Sequence, residues 1–158
     1  MTDTVRVNGF LQEGAQPDRL VREIESSIQS TYRRFFGKHW RLRYTWFSLP
    51  PGQSFVAGEP SRTSTVQVAV PDGTDDEVRH AFMREVCDIW MARTGCSENE
   101  IVLSVPDSSY AKRFMASNID RIDPRRRAVT ALRMARHLLW SRLRRGIAVM
   151  SINLSRAG

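Results

Sequence analysis

The chain has 158 residues, of which 41% are hydrophobic and 26% charged, a composition typical of one globular domain. No run approaches the roughly 18 to 20 consecutive apolar residues that a membrane span needs. The first residues, Met1-Thr2-Asp3-Thr4, hold neither the basic nor the apolar region of a signal peptide. We therefore expect a cytoplasmic protein with no membrane span.

The net charge of +7 is unevenly distributed along the chain. Residues 121–158 hold ten arginines against one acid, Asp123, which gives this segment a net charge of +9. The remainder carries 14 basic and 16 acidic residues, so it is close to neutral. Any function that depends on the positive charge must therefore involve the C-terminal segment.

The cysteines and histidines do not form a recognisable site. Cys87 and Cys96 lie nine residues apart and make no CxxC pair, and the histidines at positions 39, 80 and 137 are scattered. Metal-binding motifs need closer spacings than these. We predict two free thiols, no metal site and no cofactor.

The first third of the chain has the pattern of a β-α-β unit. Polar and apolar residues alternate over 4–10, which predicts a strand. Apolar residues then recur every three or four positions from Leu20 to Phe35, which predicts a helix starting near Pro17 and ending in a left-handed cap at Gly37. Alternation returns over 40–46 and predicts a second, partly buried strand.

The same order repeats after a connection rich in proline and glycine over 48–61. A strand at 65–70, a turn at 71–74, a helix opened by Asp75 and ended by Gly95, and a strand at 101–105 follow one another. Equivalent glycines are separated by 59 residues in one case (14 and 73) and 58 in the other (37 and 95). The sequence therefore predicts an α/β fold of two consecutive β-α-β units, 1–48 and 63–107, with right-handed crossovers. They should form a four-stranded mixed sheet with two helices on one face.

The pattern changes after residue 107, and we divide the chain into a duplicated domain at 1–110 and an extension at 111–158. Residues 108–123 are irregular or form a short helix. Pro124 is suited to the first turn of a helix that runs to Arg145 and stops at Gly146. We expect a short β-prone segment at 147–154 to pair with a sheet edge, which could belong to a neighbouring subunit.

The helix after Pro124 is amphipathic and rich in arginine. Val129, Leu132, Leu139 and Leu143 share one face. Three interpretations remain open. The helix could bury this face on its own oligomer and leave its arginines solvated, bind nucleic acid phosphates, or lie on an anionic membrane surface.

Several stretches resemble the tautomerase superfamily, the family of 4-oxalocrotonate tautomerase. Residues 20–24 resemble the first helix of these proteins, 43–52 and 55–58 their second strand and glycine-bearing loop, and 75–79 the start of their second helix. The resemblance spans about residues 1 to 110. It is closest to long members such as malonate semialdehyde decarboxylase and cis-3-chloroacrylic acid dehalogenase. It implies a homotrimer with active sites near the three amino termini.

The resemblance also exposes a departure at the catalytic position. The chemistry of the family depends on an amino-terminal proline, whereas here Met1 or Thr2 stands in its place. The turn at 71–74 lacks the paired arginines of the dehalogenases, Ser104 stands where they use a tyrosine, and Leu42 stands where the decarboxylase has an acid. We therefore do not expect dehalogenation or decarboxylation.

An α-amine on Met1 or Thr2 could still act as a base, and it is the catalytic group that we predict. Arg43 and Arg62 are the candidate clamps for a substrate carboxylate, because a guanidinium group grips a planar acid through two hydrogen bonds. Solvated strand edges or ion pairs between subunits are the alternative roles for both.

Asp107, Tyr110 and Arg113 are candidates to line the same pocket, with helix capping and surface packing as the alternative. The sequence thus predicts weak, altered or lost keto-enol tautomerase activity on small carbonyl acids. The alternative is a non-catalytic assembly or binding protein that uses its basic C-terminal helix to hold nucleic acid or an acidic partner.

Overall fold

A computed structural model describes residues 3–151 of the chain. The strands are β1 (Asp3–Gln12), β2 (Trp40–Leu49), β3 (Phe55–Val56), β4 (Glu59–Pro60), β5 (Ser64–Val68), β6 (Ile101–Ser104) and β7 (Val149–Ser151). The α-helices are α1 (Asp18–Phe36), α2 (Asp76–Thr94), α3 (Ser108–Asp120) and α4 (Pro124–Arg145), with one 3-10 turn at Glu98–Glu100. No helix within residues 3–151 is both long and apolar enough to cross a membrane.

The main sheet has the strand order β6-β5-β1-β2-β7. Within each unit the two strands are parallel, β1 with β2 and β5 with β6, and the units meet through the antiparallel pair β1 and β5. The predicted fold class, two consecutive β-α-β units in a mixed sheet, is confirmed. The predicted connection over 48–61 contains the end of β2 and the small β3–β4 hairpin.

One face of the sheet packs against α1 and α2, where the core lies. The core includes Val7, Ile24, Tyr32, Trp46, Phe82, Val86 and Trp90, all at most 1% exposed. The indole rings of Trp46 and Trp90 lie 6.0 Å apart, and the Tyr32 hydroxyl donates to the carbonyl of Ala69 at 3.0 Å. These contacts join helices and strands of both units, so the duplicated part forms one core.

Gly9 makes room for the largest core side chain. An added Cβ at Gly9 would lie 2.1 Å from Cζ3 of Trp46, closer than real Cβ contacts allow. The β1 backbone therefore approaches the Trp46 ring, which stacks parallel to Tyr44 on the same strand at 6.0 Å. Only glycine permits this approach without a shift of the ring.

The chain after β6 forms two helices and a fifth strand of the main sheet. Residues 108–120 make a regular helix, α3, and α4 begins at Pro124 and ends before Gly146 as the sequence predicts. Gly146 adopts the left-handed conformation (φ 74°), whereas Gly37 ends α1 at φ 112° and ψ 151°, outside the left-handed helical region expected for it.

The predicted C-terminal strand pairs with its own chain. β7 lies parallel to β2, with Trp46 opposite Val149, because Ile147 and Val149 are buried and fix the chain against the sheet. The Ser141 hydroxyl reinforces this turn, since it donates to the Ile147 carbonyl and accepts from the Val149 amide. Residues 152–154 of the predicted strand lie outside the described residues.

Candidate functional site

The candidate site lies on the face of the sheet opposite α1 and α2. Because strand side chains alternate, the core positions Val5, Val7 and Leu11 leave their neighbours on this opposite face. We call it the open face. Its side chains are Thr4, Arg6, Asn8 and Phe10 on β1, Arg41, Arg43, Thr45 and Phe47 on β2, Thr65 and Gln67 on β5, and Val102 on β6.

Three arginines lie together on the open face. The parallel register places Arg6 directly beside Arg43, and Thr4 directly beside Arg41. Neighbouring strands run roughly 4.8 Å apart, so the three side chains share one small area. All three are exposed, and none pairs with a carboxylate among residues 3–151. Such a cluster can bind a carboxylate or another small anion through several charge-assisted hydrogen bonds.

Of these three, sequence analysis identified Arg43 as a candidate and missed Arg6 and Arg41. Arg6 and Arg41 each follow the polar–apolar alternation of their own strand, so the sequence contained a signal that could have identified them. What the sequence did not supply was the register between β1 and β2, which makes Arg6 and Arg43 neighbours although 37 positions separate them.

An apolar row crosses the open face next to the arginines. The rings of Phe10 and Phe47 stack with centroids 5.1 Å apart, and the register continues to Met150 on β7 and Thr65 on β5. Val102, opposite Thr65 on β6, is half exposed. An apolar row beside a cationic patch is a combination that suits an interface between protein chains.

The amino-terminal end of β1 lies beside the arginine cluster. Met1 and Thr2, the predicted catalytic residues, lie outside the described residues. β1 begins at Asp3, whose carboxylate approaches Nε2 of His39 at 3.9 Å. Thr4 near the start of β1 is the neighbour of Arg41, so the arginine cluster lies at the end of the sheet where β1 begins.

Asp107, Tyr110 and Arg113 follow β6 at that same end of the sheet, since β5 runs antiparallel to β1 and β6 runs parallel to β5. Asp107 accepts from Nη2 of Arg79 at 2.8 Å, and Arg79 also donates to the carbonyls of Val105 and Thr74. Asp107 is therefore held in a structural network.

Tyr110 and Arg113 lie on the exposed side of α3. The Tyr110 ring stacks on Phe114 at 6.5 Å. Arg113 is close to Asp72, and the pKa of that carboxyl is lowered mainly by the hydrogen bond from the Ser109 backbone and further by nearby Lys112 and Arg113.

Arg62 lies at the other end of the sheet. It precedes β5, which begins where β1 ends, and it lies near Glu100. The hydrogen bonds from Ser97 lower the pKa of Glu100, and Arg62 adds a smaller effect. A ten-residue strand is roughly 30 Å long, so within one chain Arg62 is remote from the start of β1. Within one chain, therefore, Arg43 joins the candidate site and Arg62 does not.

Two grooves of the described part of the chain lie on the helical side. One of about 420 Å³ is lined by Arg34, Phe35, Glu77, Val78 and Ala81, where the end of α1 meets the start of α2. Within residues 3–151 no group of three or more histidine, cysteine or acidic side chains is arranged to hold a metal ion. Burial is the main cause that raises the pKa of the Cys87 thiol, which makes that side chain a poor nucleophile.

Comparisons with known proteins bear on the fold. Neither a scan against protein-family models nor a comparison with curated protein sequences finds a match. Among solved structures, native Ps01740 is similar at 26% identity and a TM-score of 0.61, covering 65% of this chain and 92% of that protein.

Two further structures are similar at lower identity. Native fused 4-OT has a TM-score of 0.54 at 16% identity, covering 65% of this chain and 85% of its own. N1, a member of the cis-3-chloroacrylic acid dehalogenase family, has a TM-score of 0.57 at 8% identity, covering 65% of this chain and 73% of its own. All three belong to the tautomerase superfamily, and the chain therefore resembles that superfamily in fold, as its sequence predicts.

Proposed function

We propose that the protein is a tautomerase-like homotrimer with an altered active site on its open face. The observation that carries this proposal is the cluster of Arg6, Arg41 and Arg43, three uncompensated guanidinium groups beside the start of β1. A cluster of this kind suits the carboxylate of a small carbonyl acid.

The partly exposed apolar row supports the trimer. The Phe10–Phe47 stack and Val102 lie on a face that α1 and α2 leave uncovered, and other copies of the chain would remove this apolar surface from water. Two fused 4-OT proteins among the structural neighbours are trimers, Q0 a symmetric one and F6 an asymmetric one. In a trimer of this protein, a neighbouring subunit could bring its own Arg62 to the site that Arg62 cannot reach within one chain.

The base in this proposal is the α-amine of Met1, or of Thr2 after removal of the methionine. A primary α-amine has an unperturbed pKa of roughly 7.7–8.0, so part of it is free base at neutral pH. Guanidinium charges close to such an amine would favour its neutral form and lower that pKa. The amine would remove a proton next to the substrate carbonyl and return it to the other end of the enol system. A primary amine is held less rigidly than a proline ring, so we expect slow turnover.

The test is the ketonisation of phenylenolpyruvate by protein whose amino terminus has been identified by intact mass. We expect a saturable rate above buffer that is abolished when the α-amine is blocked by selective acylation. Arg43→Ala should lower kcat/KM roughly 10- to 100-fold, the effect of losing one hydrogen bond between charged groups.

Arg84→Ala is the matched control, because Arg84 is an exposed arginine on the helical side of the sheet. It should leave the rate unchanged. No rate above buffer would contradict tautomerase activity on this substrate, and equal losses in both variants would contradict the role of Arg43. Light scattering that gives a mass other than three times 18.1 kDa would contradict the trimer.

A further inference from the structure

Helix α4 is attached to the body mainly at its C-terminal end. Nη1 of Arg142 lies 3.1 Å from Oε2 of the buried Glu25, and Arg145 forms a two-pronged ion pair with Asp18 at 2.6 and 2.8 Å. Arg22 donates to the carbonyl of Arg145, where the helix ends. Ser141 is the one buried residue of the helix. The C-terminal turns are therefore fixed, and the side facing away from Ser141 is in solvent.

That outward side carries four of the six large apolar side chains of α4 that are exposed, and Met134 and Trp140 lie elsewhere on the helix. Val129, Leu132, Leu139 and Leu143 are 52%, 71%, 62% and 71% exposed, and they lie opposite the Ser141 side of the helix. A continuous group of leucines this exposed in one chain usually marks a surface that another molecule covers.

The spacing of the outward residues is that of a helix–helix seam. Positions 129, 132, 136, 139 and 143 are separated by three and four residues in strict alternation, the a and d positions of a heptad. Four of them are apolar, and the central one is Arg136. A strict a/d stripe is narrow, and it fits one partner helix better than a broad apolar surface.

The charge of α4 is entirely positive. It contains eight arginines and no acidic residue. Arg127, Arg142 and Arg145 pair with carboxylates of the body or of α3, and Arg144 lies over the Trp140 ring at 4.3 Å. The other four arginines of the helix make no ion pair within residues 3–151. These are Arg125, Arg126, Arg133 and Arg136.

These features decide between the possible partners. A second α4 would bring sixteen arginines together, and the open face of another copy presents Arg6, Arg41 and Arg43. On a membrane surface Arg136 would sit in the middle of the inserted stripe, and on DNA the leucines would remain in water. An acidic amphipathic helix would cover the apolar seam and also neutralise the positive charge of α4.

We propose that α4 is a docking site for an acidic amphipathic helix of another protein. The partner helix covers the seam formed by Val129, Leu132, Leu139 and Leu143, and its own acid faces Arg136. Its flanking acids meet Arg125 and Arg133. A central charged pair in an otherwise apolar seam fixes the register of the two helices, and it favours this partner over other acidic proteins.

The test uses the full-length protein and a labelled synthetic helix with leucine at its a and d positions, glutamate at e and g, and one glutamate opposite Arg136. Fluorescence anisotropy should show saturable binding that a scrambled peptide of the same composition does not show. The double change Leu132→Ser and Leu139→Ser should weaken binding by about tenfold or more, as removal of central interface anchors does. Both side chains are exposed, so the thermal unfolding midpoint should not change.

A charge reversal tests the register. Arg136→Glu should weaken binding, and a peptide with lysine in place of the facing glutamate should restore it. Arg126→Gln is the matched control, since Arg126 also lacks an acidic partner but lies away from the seam, and it should change affinity less than about threefold.

Three outcomes would overturn the proposal. One is binding of the scrambled peptide as tight as that of the heptad peptide. Another is failure of the lysine peptide to rescue Arg136→Glu. The third is absence of peptide binding while anionic phospholipid vesicles or duplex DNA bind the protein.

Discussion

The duplicated body and the α3–α4 segment of this protein differ in where their apolar side chains lie: the body buries them, and α4 exposes them. In the body, Trp46, Phe82 and Trp90 are at most 1% exposed and join both β-α-β units in one core. In α4, leucines with the same helical periodicity are up to 71% exposed. The difference teaches that periodicity identifies an apolar face but not what covers it, and that the two regions should respond differently to the same kind of substitution.

The sharpest way to test this contrast is to remove one large side chain from each region. Trp46→Ala should lower the free energy of unfolding by about 3–5 kcal/mol, because it leaves a cavity and removes the indole donor to Glu25. Leu139→Ala in α4 should change it by less than about 0.5 kcal/mol. Urea denaturation of both variants measures the difference, and equal losses would mean that α4 is part of the core.

Overpacking at Gly9 is a second way to perturb the body. Gly9→Ala should cost about 1–3 kcal/mol, because the new Cβ meets the six-membered ring of Trp46. Adding Trp46→Phe should relieve part of this cost, so the two changes should be less than additive in chemical denaturation. Full additivity would indicate that the backbone, and not the indole, absorbs the added methyl group.

The junction between the two regions depends on Glu25. Arg142→Ala should destabilise the protein by about 1–2 kcal/mol, since it leaves a buried carboxylate with the Trp46 indole as its remaining side-chain partner. Arg144→Ala, two positions along the same helix, removes an exposed arginine that contacts Trp140 and should have less than half this effect. Thermal unfolding of the two variants provides the comparison.

The smallest expected effect concerns pH. The hydrogen bond from Arg145 is the main cause that lowers the pKa of Asp18, so the folded state favours the charged carboxylate. This stabilisation is complete above the ordinary pKa of an aspartate and is lost as the pH falls through the lowered value. Because both groups are partly exposed, it should amount to less than about 1 kcal/mol. The Asp18→Asn variant should lose less stability than the unchanged protein as the pH falls into the acidic range. An equal loss in both proteins would contradict this role of Asp18.

Local patterns were sufficient for most of the secondary structure. The α2 and α4 helices end at Gly95 and Gly146 because a left-handed residue at a helix end needs only its own backbone freedom and a bond to the preceding turn. The strands β1 and β2 followed from alternation, and the repeat spacing of the two units predicted the mixed sheet. These features depend on interactions within a few residues or on the internal duplication.

The candidate site was predicted only in part. Arg43 was identified from its strand, but its neighbours Arg6 and Arg41 were not, because the register of two strands separated by a helix is set by the core side chains of both. Asp107 was a candidate to line the pocket, with helix capping and surface packing as the alternative. Its carboxylate accepts a hydrogen bond from Arg79, a contact between distant positions that no local pattern predicts.

By itself, the sequence determined the order of the main helices and strands, the ends of α2 and α4 and the amphipathic character of α4, since helix and strand periods and turn residues act over short distances. The tertiary structure alone decided that β7 joins the chain's own β2, that three arginines share one area of the open face, and that the leucines of α4 face solvent. Each of these depends on which surfaces meet, and contacts between distant segments are settled by the packing of the whole core.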